Sequence, residues 1–193
     1  ATVFLHANDE KQINDGVKFL QDQKIKNIVV VGGTNSLEAG DFLVDNNIKI
    51  ALEQPHNLPS MEDDDVKSRF RLASQLINKG VTVAVDATGE MTRMNTRNLP
   101  FFAGSFAAYG VEKEKAVETI TLNAAKVLGI EDNYGSIEVG KSATLFISHG
   151  DALDMRTNNL SHAYIDGREV SLETNQTKLW QRYKKKVEEE KKQ

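Results

Sequence analysis

Four short apolar runs punctuate the first half of the chain: TVFLHA (2–7), NIVVVGG (27–33), IKIALEQ (48–54) and VTVAVDA (81–87). None alternates polar with apolar, so each reads as a strand buried on both faces, the habit of parallel sheets. Between the runs the apolar positions take helical spacing instead. Ile13, Val17 and Leu20 follow the first run, Leu37, Phe42 and Leu43 the second, and Val66, Phe70, Ala73, Leu76 and Ile77 the third. The pattern predicts βαβαβα followed by a further strand.

Two long connections interrupt this rhythm. QPHNLPSMEDDD follows the third strand, and ATGEMTRMNTRNLPF follows the fourth. Long loops after strand C-termini are where α/β proteins keep their function. A small-residue run, FAGSFAAYG, and a long helix over 113–128 come next, the latter with Ala116, Val117, Ile120, Ala124, Val127 and Leu128 on its apolar face. Beyond Gly129 the pattern changes to the strand SATLFIS, the loop HGDALDMRTNN and the segment HAYIDGREV, whose Asp166-Gly167 pair marks a tight hairpin turn. A final helix near 176–190 is expected to bury Leu179, Trp180, Tyr183 and Val187 on one face.

One motif points elsewhere. GSIEVGKS (135–142) fits the phosphate-loop pattern G-x-x-x-x-G-K-[ST] in every letter. Such a loop works only when it leaves a strand and opens a helix, so that backbone N–H groups converge on the phosphates. Here a helix precedes the motif and the strand ATLFIS follows it. Gly135 and Gly140 are therefore read as turn residues and Lys141 as a solvated turn cation, and nucleotide binding is set aside.

Composition narrows the classes further. A chain of 193 residues with 39% hydrophobic content buries a real core as one domain, or one domain with an appendage. No stretch approaches the roughly 20 apolar residues that span a bilayer, which predicts no membrane insertion. The net charge of −4 argues against a general nucleic-acid surface. The only dense basic run, in KKKVEEEKK, is interrupted by three glutamates and reads as a solvated helix with internal ion pairs. With no cysteine there is neither a disulfide nor a thiolate ligand. The chain also opens directly on an apolar strand without an initiator Met, and reads as a sequence entered midway.

The run TLNAAKVLGIEDNYGSIEVGKSATLFI, followed by a further strand and hairpin, resembles the C-terminal signature of the amidohydrolase superfamily, particularly imidazolonepropionase-like members. In that family a helix with a Thr-x-Asn-x-Ala-Lys stretch ends in Leu-Gly, a loop carries Gly-Ser-Ile-Glu-x-Gly-Lys, and a strand returns to a small β-sandwich. The resemblance is specific from about 99 to 170. It implies that the four runs are strands five to eight of a (β/α)8 TIM-type barrel, with a half-barrel over 1–130, sandwich strands over 131–172 and a C-terminal helix over 173–193.

That resemblance also assigns roles to strand ends. His6, closing the first run, stands where the family places a metal-binding histidine, and the implied cofactor is a divalent metal, zinc or iron. Asp86 stands near the family's aspartate that takes a proton from the attacking water. Glu53 and His56, after the third run, are the substrate-binding candidates, while His149 and His162 are read as structural. The pattern departs from the family at Gly32-Gly33, where many members carry another histidine, and the His-x-His of strand one is absent from the 193 residues. The implied function is part of a metal-dependent hydrolase of non-peptide C–N bonds, in a cyclic amide or related small molecule, inactive without its N-terminal half. The alternative is a non-catalytic remnant serving as a binding or structural module. The expected partners are that missing half or a second copy of the chain, besides the substrate.

Overall fold

The computed structural model describes residues 2–59, 62–88 and 92–190. Parts of both long loops predicted after the third and fourth runs, and residues 191–193 of the C-terminal segment, lie outside the described residues. The four apolar runs become β1 (Thr2–Asp9), β2 (Asn27–Asn35), β3 (Lys49–Glu53) and β4 (Val83–Asp86). They form one parallel sheet in the order β1-β2-β3-β4. Helices α1 (Glu10–Asp22), α2 (Gly40–Asp45) and α3 (Ser68–Lys79) connect consecutive strands. A 3-10 helix (Thr92–Asn98) and α4 (Leu99–Ala108) follow β4.

The sheet is apolar on both faces, and both are covered except along β1, where Phe4 and His6 on the second face are exposed. One face, carrying Ile28, Val30, Ile50, Leu52 and Val83, packs against Ile13, Val17, Leu43, Leu76 and Phe106 from the helices. The other, carrying Val29, Val31, Ala51 and Ala84, meets Ala124 and Val127. This explains the unbroken runs in the sequence, since a strand with one wet face would alternate. Helix α3 ends where Gly80 takes φ 98°, its N–H donating to Ile77 O at 2.9 Å while Val81 N donates to Leu76 O at 3.0 Å. That pair of bonds satisfies the last carbonyls of the helix, and a left-handed residue is needed to make it.

The long helix expected over 113–128 is two: α5 (Lys113–Glu118) and α6 (Leu122–Leu128). Three consecutive β-branched residues, Thr119, Ile120 and Thr121, fill the break, and both threonine hydroxyls bond back to carbonyls of the preceding turn, at 2.6 Å to Ala116 and 2.8 Å to Val117. The break has a tertiary reason as well. Val85 N on β4 donates to Thr119 O at 3.0 Å, and the buried Asn123 amide donates to Val83 O at 3.0 Å. These two bonds occupy the outer edge of β4. The other outer edge, on β1, has no strand neighbour among the described residues, and Phe4 there is 43% exposed.

Past Gly129, β5 (Leu145–Ser148), β6 (Leu160–Ile165) and β7 (Arg168–Glu169) make a separate antiparallel sheet. The Asp166-Gly167 hairpin is present, with both residues at positive φ, 49° and 77°, as a type I′ turn requires. The loop between β5 and β6 reaches back to the larger sheet: Leu153 is buried in the main core, and Asp151 pairs with Lys113 of α5 at 2.7 Å. Helix α7 (Asn175–Glu190) corrects an expectation. Leu179, Trp180, Tyr183 and Val187 are 48–61% exposed, because no described element lies against the stripe they form. Val66 is likewise exposed, since it precedes the start of α3. Among the described residues no helix is long and apolar enough to cross a membrane.

Candidate functional site at the strand ends

In a parallel sheet, side chains in lateral register share a face. His6 is paired with Val31, Val31 with Ala51, and Ala51 with Ala84, so all four positions lie on the face of the small cluster. Two residues further along β3 and β4, Glu53 and Asp86 are register partners on that same face. A depression of about 240 Å³ opens at these carboxyl ends, and His6, Glu53 and Asp86 all line it, with Asn8, Gly32 and Thr88. Three of the four residues singled out from the sequence are thus brought together.

Their surroundings differ. The His6 ring is exposed and makes no hydrogen bond among the described residues. Glu53 is held at both oxygens: one accepts from Asn57 Nδ2 at 2.7 Å, the other from Arg69 Nη1 at 3.0 Å, and the arginine side chain is only 13% exposed. Asp86 accepts from the N–H and the hydroxyl of Thr88, at 2.8 and 2.9 Å. This short-range turn fixes the carboxylate at the mouth of the depression.

His56 is not among the described residues that line it. Its ring packs against Phe70 and Phe102, at centroid distances of 5.6 and 5.4 Å, and Nε2 lies 2.8 Å from Ser105 Oγ. The serine hydroxyl is also placed to donate to Phe101 O at 3.0 Å, in which case the imidazole donates from Nε2. Burial against the aromatic rings pushes the His56 pKa below its ordinary value and favours the neutral ring. The residue ties the loop after β3 to α4.

Asn8, Gln12 and Thr88 also line the depression and were not singled out from the sequence. Asn8 was within reach of the period-two rule, since it follows His6 by two residues on one strand. The Gly32-Gly33 pair has a structural explanation. The register shifts from Ala7–Gly32 to Asp9–Asn35, so β2 carries one residue more than β1 across this step, and both glycines take positive φ, 99° and 61°. This bulge at the rim of the depression is a conformation that side chains disfavour.

The GSIEVGKS segment is a turn, and its polar atoms are spent within the fold. Lys141 Nζ bonds Ser136 Oγ at 2.6 Å and pairs with Glu138 at 3.3 Å, which corrects its reading as a solvated cation: the side chain folds back on its own turn and is only 14% exposed. The Ser142 hydroxyl donates to Asp166, which also accepts from Tyr134 OH at 3.1 Å, locking this turn to the β6–β7 hairpin. Asp166 is held below the usual carboxylate range, first by the Ser142 hydroxyl and then by Tyr134.

Among the described residues no group of three His, Asp or Glu side chains could hold a metal ion. A catalytic zinc takes three protein ligands, and the candidates at these strand ends are His6, Glu53 and Asp86, each carboxylate of which already accepts two protein hydrogen bonds. The described residues therefore do not form a metal centre by themselves.

Comparison with known proteins gives consistent results. The model of the family described as "Amidohydrolase family" matches residues 20–170. An imidazolonepropionase of Syntrophobacter fumaroxidans is 30% identical over 86 residues, which are 44% of this chain and 20% of that protein. One of Shewanella baltica is 67% identical over 30 residues, 16% of this chain and 7% of its own length. Among solved structures, an amidohydrolase from Thermotoga maritima superposes with a TM-score of 0.76 at 25% identity, over 88% of this chain and 43% of that one. The chain thus spans less than half the length of the proteins it resembles.

Proposed function

The chain belongs to the amidohydrolase family, and from that premise we propose that it is the strand-five-to-eight portion of a barrel hydrolase that cleaves a non-peptide C–N bond, in a cyclic amide or a related small molecule. The observation that carries this reading is the convergence of His6, Glu53 and Asp86 on one depression at the carboxyl ends of four parallel strands. Active sites of (β/α)8 barrels are built at that end. The small antiparallel sheet is part of the accompanying β-sandwich.

Within this reading each side chain has a task. Asp86, steadied by Thr88, accepts a proton from the water that attacks the substrate carbonyl, and the nearness of a fixed carboxylate is what general-base catalysis requires. Glu53, clamped by Arg69 and Asn57, gives the pocket a rigid negative wall suited to a ring N–H of the substrate. His56 acts at one remove by fixing the loop that borders the pocket. His6 and Asp86 are the donors this chain would bring to a divalent metal, and further ligands come from elsewhere. That requirement, with the unpaired edge of β1, makes the chain dependent on a partner: the remaining half of the barrel, or failing that a second copy of itself.

A second reading has its own support. A β2 end made of two glycines and carboxylates already committed to neighbours suit a remnant that keeps the fold and binds without catalysis. The experiment that separates the two measures zinc and iron content and hydantoin hydrolysis for the 193-residue chain and for a form extended at its amino end by the missing strands. The hydrolase reading expects neither property in the first and both in the second. Turnover by the short chain overturns the dependence on a partner, and an extended form with neither metal nor turnover establishes the remnant.

A further inference from the structure

The polar groups of the depression are unbalanced. Glu53 and Asp86 present carboxylate oxygens, which only accept, and both are occupied by protein donors. An amide substrate brings a carbonyl oxygen that needs a donor; with the Thr88 hydroxyl spent on Asp86, the carboxamides lining the depression are Asn8 and Gln12, and Asn8 is the one on the strand that carries His6, two residues further along.

Its orientation is set by three contacts. Asn8 N donates to Gln12 Oε1 at 3.0 Å, which fixes the backbone where β1 passes into α1. Asn8 Oδ1 accepts from Thr34 N, a long bond at 3.4 Å, on the residue just past the glycine bulge of β2. An N–H donor at that position identifies the atom facing it as the oxygen, so the NH2 group is the other end of the amide. That group has no hydrogen-bond partner among the described residues. The third contact is steric: a Cβ added at Gly32 would stand 2.7 Å from Asn8 Oδ1. The bulge therefore does more than relax β2. It vacates the space that the Asn8 carboxamide fills and turns the Thr34 N–H to hold it.

We propose that Asn8 is a substrate-binding residue of this depression, its Nδ2 donating to the carbonyl oxygen of the bound amide, and that the Gly32-Gly33 bulge holds it in position. The inference rests on the reading of the depression as the substrate site. It names the group that recognises the acyl oxygen, and it gives the glycines at the end of β2 a function in place of a side chain.

The test uses hydantoin, a small cyclic amide, titrated into the form extended at its amino end by the missing strands while the side-chain amide resonances are followed by NMR. Three variants accompany it. Asn8→Asp keeps the acceptor for Thr34 and removes the donor, Asn8→Ala removes both, and Gly32→Ala crowds the carboxamide from the rim of the depression. The expected result is a saturable shift of the Asn8 NH2 signal and a roughly tenfold weakening of hydantoin binding in every variant, the size of one lost hydrogen bond. Far-UV circular dichroism identifies any variant that fails to fold, and Asn8→Asp, which differs least in shape, then decides. If the wild type binds hydantoin but Asn8→Asp binds within twofold of it, the inference about Asn8 is overturned and the family reading stands. If the wild type shows no saturable shift, the depression is not an amide site in this chain and both readings of it fall.

Discussion

Asn123→Ala should destabilise the protein well beyond what the loss of a small polar side chain suggests. The residue is 8% exposed, and its Nδ2 donates to Val83 O at 3.0 Å on the outer edge of β4. Truncation removes that bond and leaves a strand carbonyl without a partner in a place water does not readily reach. A typical hydrogen bond contributes about 1 kcal/mol net, but a buried group left unsatisfied costs about 1–3 kcal/mol. For a chain of this size each kcal/mol moves the melting temperature by roughly 2–4 °C. The expected fall is therefore roughly 2–12 °C, measured by calorimetry at constant pH. Hydrogen exchange adds a local readout, because the Val85 amide, bonded to Thr119 O beside this contact, should lose protection faster than amides of β2. A variant melting within about 1 °C of the wild type, with Val85 still protected, would show that Asn123 does not seal this edge.

Gly104→Ala places a Cβ 2.2 Å from the Leu153 carbonyl oxygen, so it should lower stability by roughly 1–3 kcal/mol, or displace the 149–159 loop, in a urea melt. His56 has a folded pKa below its unfolded value, so the unfolded chain takes up the proton first as pH falls. The stability it contributes is present above about pH 6.5 and is lost as pH drops through the folded value. The urea midpoint should fall between pH 7 and pH 5 more in the wild type than in His56→Asn. Asp154, held by the Arg156 guanidinium and the Arg156 N–H, has a carboxyl pKa lowered to about 2. Its carboxyl carbon should titrate there by NMR and move back towards the ordinary value of 3.8 in Arg156→Gln.

The larger sheet was legible because burial on both faces leaves a mark in sequence: uninterrupted apolar runs separated by helical spacing. The hairpin was legible for a similar reason, since Asp-Gly at positive φ is a local requirement. The strand ends were half legible. His6, Glu53 and Asp86 sit where runs end, and run ends are visible. Asn8 is hidden by this route, because the apolar run ends at Ala7 whereas β1 continues to Asp9. The division of the 113–128 helix was hidden, because its cause is the demand of a distant strand edge for the Thr119 carbonyl and the Asn123 amide. The exposed stripe on α7 shows the converse limit, for periodicity states which side of a helix is apolar and says nothing about whether anything lies against it.

The anchoring of Leu153 bears on how the protein comes apart. The small antiparallel sheet exposes Phe146, Ile147, Leu160 and Ile165 and has little interior of its own. Yet the loop joining β5 to β6 places a leucine among the core side chains of the parallel sheet and fastens it with Asp151 to Lys113. The two sheets therefore share part of one cooperative transition: the small sheet should not melt ahead of the large one as an independent module, and a protease cut within 149–159 would uncouple them.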